Sequence, residues 1–311
     1  TGGDTGALHQ EHAELTQRLA TSKTRLAALT PAEGQQIPRV TRQAAAALAT
    51  RFADTANELG SPDLMRLGHL YGALRAGSRG DLAAADALAG KSSALLASTG
   101  RERHAEVVDQ LVRLPWRWLT CDYDEALAFT GAAIELAPQL KIWRLLHAWF
   151  RVLDGDDEAA REVALEFNPA VELKDGMRQD RWLVVATAAL VAQRLGLTSW
   201  AQPLTEYLAR HANVAVHLGQ TAFMGFGWHY LALAQALDGS DEGRDAAIDS
   251  LGTALDASTR VEAQPWALFA ELELARLGAG VDGDPPEPSS IADRAEALGC
   301  EWLANEARAL A

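Results

Sequence analysis

The chain has 311 residues, of which 48% are hydrophobic, so it can bury a sizeable core and is not a globally disordered polymer. Its 28 basic and 42 acidic side chains give a formal net charge of −14, which argues against direct contact with nucleic acid. Two cysteines far apart in sequence exclude a disulfide framework, and no apolar run reaches the roughly 18 residues that a membrane span needs, so we expect a cytoplasmic protein.

In chain order, the sequence opens with TGGDTG, which carries neither an initiator Met nor a signal-peptide pattern. We expect the chain to be an excised part of a longer polypeptide. Amphipathic segments then follow one another, separated by Gly, Pro, Asp and Ser, and strand signals are nearly absent. The predicted helices span 7–29, 38–59, 62–77, 81–98, 101–119, 122–137, 140–153, 156–168, 178–195, 198–212, 218–238, 241–257, 260–278, 288–299 and 301–310.

Turns that open a second helix recur along the chain, and each is followed by a small residue one turn into that helix. The gaps between these small residues are 41, 34, 41 and 46 positions. A unit of this kind cannot bury its apolar face alone, whereas stacked units bury a common core. The small residues are Ala85, Ala126, Ala160, Ala201 and Ala247.

The segment CDYDEALAFTGAAIELAP, residues 121–138, resembles the second helix of a tetratricopeptide repeat. Its aromatic, small, large, small and proline positions are Tyr123, Ala126, Thr130, Ala133 and Pro138, with Thr130 in place of a larger residue. The first helices match that pattern poorly. The tail, AQPWALFAELELARLGAG and ADRAEALGCEWLANEARALA, is similar to the C-terminal repeats of bacterial maltose-activator (LuxR-type) regulators and related multidomain ATPases or adenylate cyclases.

The resemblance implies an all-α fold, a right-handed superhelical solenoid of about seven helical hairpins of tetratricopeptide-like type. Residues 1–60 would form an N-terminal helical pair or cap, 61–280 the repeat array, and 281–311 a C-terminal capping hairpin.

Motifs for catalysis or metal binding are weak. The HxxH pair of His9 and His12 lacks the HExxH order, and the acidic run DGDDEAARE at 154–162 falls on a turn where Asp caps a helix. The sequence has no GxxxxGK[ST] and no GxSxG. We therefore expect no enzyme activity, no metal and no cofactor.

Two sets of residues are candidates for a ligand-binding surface on the first helix of each hairpin. Tryptophans there, including Trp143, Trp182 and Trp228, either line a concave groove or fill the core between units.

The second set is a pair of polar stripes 34 residues apart, with i, i+3, i+7 spacing in each. Arginine forks suit carboxylate or phosphate, so the stripes indicate an anion or acidic-peptide site. The alternative is a solvated face with internal salt bridges to Asp109, Asp122, Asp154 and Asp180. The stripes are Gln110, Arg113 and Arg117, and Arg144, His147 and Arg151.

The stretch FMGFGWHY, 223–230, places two glycines and His229 in a predicted helix. Gly225 and Gly227 admit either close helix packing or a ligand at the backbone. His229 is either a buried hydrogen-bonding residue or a ligand contact.

These features predict a non-catalytic binding or sensing module within a larger bacterial regulatory protein. Its groove would hold a protein or peptide segment, or a small anionic or sugar-like ligand, and it would contact upstream domains of the same polypeptide, but neither nucleic acid nor membrane. One alternative is a pure protein–protein interaction scaffold. Another is an all-α enzyme, which requires helices closing into a ring and paired carboxylates facing a closed cavity.

Overall fold

Helices dominate the part of the chain that the computed structural model describes, which is residues 61–173, 181–210, 212–218, 222–281 and 283–311. The all-α prediction is confirmed, apart from one small β-hairpin. The helices predicted at 7–29 and 38–59, and the cap at 1–60, lie outside the described residues.

The α-helices are α1 (Pro62–Arg79), α2 (Leu82–Ala97), α3 (Glu102–Leu119), α4 (Tyr123–Leu136), α5 (Lys141–Leu153), α6 (Asp157–Ala164), α7 (Pro169–Glu172), α8 (Arg181–Leu195), α9 (Ala201–Ala209), α10 (Gly227–Ala236), α11 (Asp241–Arg260), α12 (Gln264–Arg276), α13 (Pro288–Ala297) and α14 (Glu301–Arg308).

Short polar side chains begin several helices, and residues in the left-handed conformation end them. The Asp81 carboxylate accepts a hydrogen bond from the Ala84 N–H at 3.0 Å, and that of Asp156 accepts one from the Ala159 N–H at 3.2 Å. Gly80, with φ +87°, directly follows α1. These turns return the chain along the helix it has just left.

The small residues that follow each turn are at most 5% exposed, so they lie at helix contacts as predicted. Helices adjacent in sequence pack together, with α1 on α2, α4 on α5, α10 on α11 and α13 on α14. Small side chains allow this close approach, and each helix buries the apolar stripe of its neighbour. The five residues are Ala85, Ala126, Ala160, Ala201 and Ala247.

The helix predicted at 218–238 is wrong in its first half, which forms a β-hairpin. Strand β1 (Ala215–Leu218) pairs antiparallel with β2 (Ala222–Phe226), and α10 begins only at Gly227. The physical reason lies just before α10. Gly225 has φ +84° and Phe226 is extended, with φ −109° and ψ 155°, and neither conformation continues a right-handed helix.

The two ends of the described chain meet. Helix α12 packs against α1, α14 packs against α3, and β2 lies on both α1 and α3. An ion pair joins Arg79, at the end of α1, to Glu262, which follows α11. The rings of Trp118 in α3 and Trp302 in α14 have centroids 5.0 Å apart. In an open solenoid each unit contacts only its neighbours, whereas here elements far apart in sequence are in contact. The right-handed superhelical stacking stays a prediction.

Candidate functional site

Seven of the nine tryptophans are buried, none more than 8% exposed, so most of them fill the core and do not line a groove. Trp118, Trp149, Trp266 and Trp302 form a central aromatic cluster with Phe269, with centroid separations of 5.0–6.3 Å. These rings come from α3, α5, α12 and α14, so the cluster depends on the two ends meeting. The buried tryptophans are Trp116, Trp118, Trp149, Trp182, Trp200, Trp266 and Trp302.

The three tryptophans predicted to contact a ligand lie on three different helices. Trp182 in α8 is 8% exposed and packs on Tyr207, with centroids 5.6 Å apart. Trp143 in α5 is half-buried against the edge of Phe129 at 5.8 Å. Trp228 in α10 is half-buried against the core. No ring contact within the described ranges brings these three together.

The polar stripe on α3 is tied to neighbouring helices. The Arg113 Nε donates to the Asp109 carboxylate at 2.8 Å, and its guanidinium also pairs with Asp86 of α2. Arg117 is only 5% exposed and pairs with Glu125 of α4. These arginines join α3 to the helices on either side of it.

Arg117 also lies 3.7 Å from the Asp122 carboxylate and donates to the Gln110 side chain. The alternative of internal salt bridges is therefore confirmed for the partners Asp109 and Asp122. Asp180 lies outside the described residues.

The stripe on α5 faces the small-residue stripe of α4. The imidazole of His147 contacts the Thr130 hydroxyl through Nδ1 at 2.9 Å, and its Nε2 accepts from the Arg151 Nε at 3.3 Å. Thr130 in turn donates to the Ala126 carbonyl at 2.8 Å. Burial lowers the pKa of His147, and the charge of Arg151 lowers it further. Thr130 thus replaces the larger residue of the repeat pattern with a hydrogen-bond partner for the half-buried imidazole of His147.

The remaining two arginines of the predicted strip are also paired. Arg144 forms an ion pair with Glu166, and Arg151 lies 2.9 Å from Asp156, which takes the place of the expected Asp154. All four arginines are thus engaged with carboxylates in the described structure. A ligand would have to displace those carboxylates, and its binding there stays a prediction.

His229 is fully buried and acts as a hydrogen-bonding residue of the core. Its Nε2 contacts the Trp266 carbonyl at 2.9 Å, and its Nδ1 accepts from the Phe226 N–H at 3.1 Å. These contacts fit a neutral imidazole, and burial lowers its pKa to about 4. The glycines nearby serve close packing, because a Cβ on Gly225 would lie 2.9 Å from the Trp266 ring, and one on Gly227 would lie 2.8 Å from the Ala212 carbonyl.

A network of four charged side chains lies where α8, α12 and α14 meet. The Glu306 carboxylate accepts from both Arg194 and Arg276, and Arg276 also pairs with Glu273. Their side chains are 7–27% exposed, so the pairs are largely shielded from water. Burial raises the pKa of Glu273, while Arg276 and Arg194 act to lower it. Removing one partner of such a buried ion pair lowers the free energy of unfolding by about 3–5 kcal/mol.

An inter-end cavity of about 550 Å³ opens beside this network, between α14 and the turns that follow α3 and α5. Its volume is in the range of small-molecule sites. Its apolar lining is Val152, Leu153, Gly155 and Trp302. Its polar lining is Cys121, Tyr123, Asp157, Arg194, Asn305 and Glu306.

A second cavity, of about 310 Å³, is lined by Glu273 and Arg276 of the same network. Its other walls are mainly Leu and Ala side chains of α10, α11 and α12. The network therefore contributes to the walls of both cavities.

Cys121 occupies an unusual backbone conformation on the wall of the inter-end cavity. It follows the end of α3 with φ +58°, a left-handed value that favours glycine. The corresponding turns carry glycine, at Gly80 and Gly155. The Tyr123 hydroxyl donates to the Cys121 Sγ at 3.2 Å, and burial together with this hydrogen bond raises the pKa of Tyr123. The chain thus places a side chain on this wall where the turns at Gly80 and Gly155 have none. Glu262, in the turn after α11, is likewise left-handed, with φ +61°.

The sequence reasoning missed the six polar residues of the inter-end cavity as a site. One available signal was Cys121, which stands where the aligned turns 79–88 and 154–163 have glycine. Glu273, one of two acids in the largely apolar segment QPWALFAELELAR, was a signal for the charged network beside the cavity.

Among the described residues, no three His, Cys, Asp or Glu side chains form a group that could hold a metal ion. His9 and His12 lie outside the described residues. In the same described part, no helix is both long and apolar enough to cross a bilayer.

The resemblance to tetratricopeptide repeats is carried by α4, where Ala126 and Thr130 are fully buried, and Tyr123 and Ala133 are half-buried. Close packing through small residues is common to many helical proteins, so it does not by itself identify a family. No protein-family model, curated protein or solved structure matches this chain, and its membership of that class stays a prediction.

Proposed function

We propose that this chain is a non-catalytic binding module that holds a small polar molecule in the inter-end cavity. The single observation that carries the proposal is the position of that cavity, walled by α14 on one side and by the turns after α3 and α5 on the other. A molecule bound there would contact α14, the last helix, together with the turns after α3 and α5. Its binding would therefore stabilise the closed arrangement over any arrangement in which the ends part.

The chemistry of the walls supports a binding role. Tyr123, Asn305 and Asp157 provide hydrogen-bond donors and acceptors in a lining that also includes Trp302. A small number of polar groups in a partly apolar lining is typical of small-molecule sites. The left-handed Cys121 adds a conformation that costs about 1–2 kcal/mol, and such outliers concentrate at functional sites.

The resemblance to tetratricopeptide-like repeats supports the proposal that this module belongs to a larger regulatory protein. Within a cytoplasmic bacterial regulator, α-helical hairpins of right-handed, tetratricopeptide-like stacking would carry the state of the cavity to upstream domains. The closed arrangement differs from the groove of an open array, so the recognised molecule would be held between α14 and the turns after α3 and α5.

An all-α enzyme is favoured by the closing of the helices and by two carboxylates, Asp157 and Glu306, that line the same cavity. The Glu306 carboxylate is held by Arg194 and Arg276, so it is not free to take up or release a proton without breaking two ion pairs. The arrangement therefore supports binding better than acid–base chemistry.

A protein–protein scaffold is the second candidate function, and an exposed apolar surface favours it. Leu136 and Leu140, at the end of α4 and in the loop after it, are 85% and 47% exposed, and Leu165 and Val171 near α7 are 58% and 61% exposed. Lys141 lies 3.0 Å from the Glu172 carboxylate, which brings the two segments together. Exposed apolar groups of this size are common at protein contacts.

A cavity-filling pair of variants tests the binding proposal. Asn305→Trp places an indole at the cavity wall, whereas Glu301→Trp adds the same ring to an exposed position of α14 outside the cavity lining. The measurement is thermal unfolding against a panel of sugars, nucleotides, amino acids and small amines. A ligand at a hundredfold excess over its Kd adds about 3 kcal/mol, or several degrees in Tm.

We expect at least one compound to raise the Tm of the unmodified protein and of Glu301→Trp, but not of Asn305→Trp. A panel without any stabilising compound, or hits that Asn305→Trp leaves unchanged, would contradict the proposal.

A further inference from the structure

The charged groups on the inter-end cavity sum to one negative charge. Asp157 and Glu306 each contribute a carboxylate, and Arg194 contributes the one guanidinium. The protein as a whole carries a formal charge of −14, so the long-range field also repels anions.

The cations near the cavity are already committed to carboxylates. Arg194 pairs with Glu306, and Arg151, on the last turn of α5, lies 2.9 Å from Asp156. An anionic ligand would have to compete with these intramolecular pairs. A free guanidinium that could receive a carboxylate or phosphate is absent from the described cavity wall.

Asp157 differs from the carboxylates around it. It is exposed, in the first turn of α6, and no described cation lies within ion-pair distance of it. Its neighbour Asp156 is both the N-cap of α6 and the partner of Arg151. Asp157 is therefore a carboxylate on the cavity wall that is available to a ligand.

Aromatic rings form another part of the cavity wall. Tyr123 and Trp302 both line the cavity, and rings of these types attract organic cations through their π-faces. A carboxylate together with aromatic walls is a combination that suits an ammonium group with an apolar body.

We propose that the ligand class of the inter-end cavity is a small organic cation, an amine whose ammonium group meets Asp157 and whose apolar body lies against Tyr123 and Trp302. This inference rests on the proposed binding function and assigns the charge of the ligand.

Three compounds of nearly equal size and different charge test the inference: benzylamine, benzyl alcohol and benzoate. Their affinities are measured by calorimetry on the full chain, and Asn305→Trp identifies the binding that occurs in the cavity. We expect benzylamine to bind at least about fivefold more tightly than benzyl alcohol, and benzoate to bind most weakly. Added salt should reduce the difference between the amine and the alcohol.

Asp157→Asn should weaken benzylamine about threefold, as expected of an exposed ion pair, and leave benzyl alcohol unchanged. Asp154→Asn is the matched control, because Asp154 is also exposed and lies outside the cavity lining. Equal or tighter binding of the alcohol or of benzoate in the cavity overturns the inference and leaves the proposed function standing. Failure of all three compounds to bind overturns the inference, and failure of the wider panel as well overturns both.

Discussion

His229 shows how one fully buried polar side chain is accommodated in the interior of this protein. Its imidazole has a hydrogen-bond partner at each nitrogen, Phe226 on one side and Trp266 on the other. Burial removes the imidazole from water, which disfavours its charged form and lowers the pKa of His229 to about 4. The contacts with the backbone of Phe226 and Trp266 act in the opposite direction and only partly offset the effect of burial.

A pH dependence of stability follows from His229. At a pH above about 6.5, the pKa of histidine in the unfolded chain, the imidazole is neutral in both states. Its full contribution to the free energy of unfolding is then present. As the pH falls from about 6.5 to about 4, the unfolded chain takes up a proton and the folded chain does not. The free energy of unfolding should therefore fall by about 3 kcal/mol across this window.

The measurement is urea unfolding of the unmodified protein and of His229→Gln between about pH 7 and about pH 4. The variant loses stability at neutral pH but lacks this titration, so the difference between the two proteins should shrink as the pH falls. Curves that stay parallel throughout would show that the imidazole takes up its proton equally in both states.

The spacing of the polar residues predicted which of them share a helix face, but not which side chains of neighbouring helices they would contact. The spacing of Arg113 and Arg117 correctly indicated a shared helix face, and Asp109 and Asp122 were named as partners. Asp86 and Glu125 lie on neighbouring helices, and spacing along one helix carries no information on the side chains that neighbouring helices bring to it.

At the scale of elements, the helices were predictable because apolar periodicity and turn residues agree along most of the chain. The hairpin at 215–226 was not, because its Ala, Phe and Met residues also suit a helix. The segment forms a strand instead of a helix because β2 packs against α1 and α3. A short strand can be stabilised by such packing even when its own propensity is weak.

Gly225 connects this hairpin to the core and provides a test of its packing. Ala at this position would meet both a left-handed backbone and a Cβ 2.9 Å from the Trp266 ring. Gly100 is the matched control, because it has φ +76° with no atom within 4 Å of an added Cβ. We expect Gly100→Ala to cost about 1 kcal/mol, from the backbone alone.

Gly225→Ala should cost about 2 kcal/mol more than Gly100→Ala, because the indole must also shift. The measurement is the free energy of unfolding of both variants in denaturant. An equal decrease in the free energy of unfolding for the two variants would mean that the hairpin does not pack closely against Trp266.

At the scale of the whole molecule, the decisive feature is that the ends meet. The central aromatic cluster joins Trp118 and Trp149 from early helices to Trp266 and Trp302 from late ones. Edge-to-face pairs such as Trp118–Trp266 and Trp149–Trp302 contribute about 0.5–1.5 kcal/mol each beyond area burial. The sequence indicated hairpins that stack on their neighbours. It could not indicate closure, because the curvature of an array is the sum of small rotations between units.

The inter-end cavity was unpredictable for the same reason. Tyr123 and Glu306 are 183 positions apart in sequence, and they line the same cavity only because the array closes. The candidate site thus follows from the shape of the array, whereas no local motif marks it.

A distance between the two ends tests closure most directly. Spin labels at Arg79→Cys and Glu262→Cys, in a Cys121→Ser background, would report the separation of two exposed positions that form an ion pair in the closed molecule. Cys300 is fully buried, and burial raises its pKa to about 12, so it should not compete for the label. Electron–electron dipolar spectroscopy on the full chain is predicted to give one narrow distribution at short distance. In an open array, four hairpin steps of about 10 Å each would place the labels roughly 40 Å apart, and a distribution centred there would contradict closure.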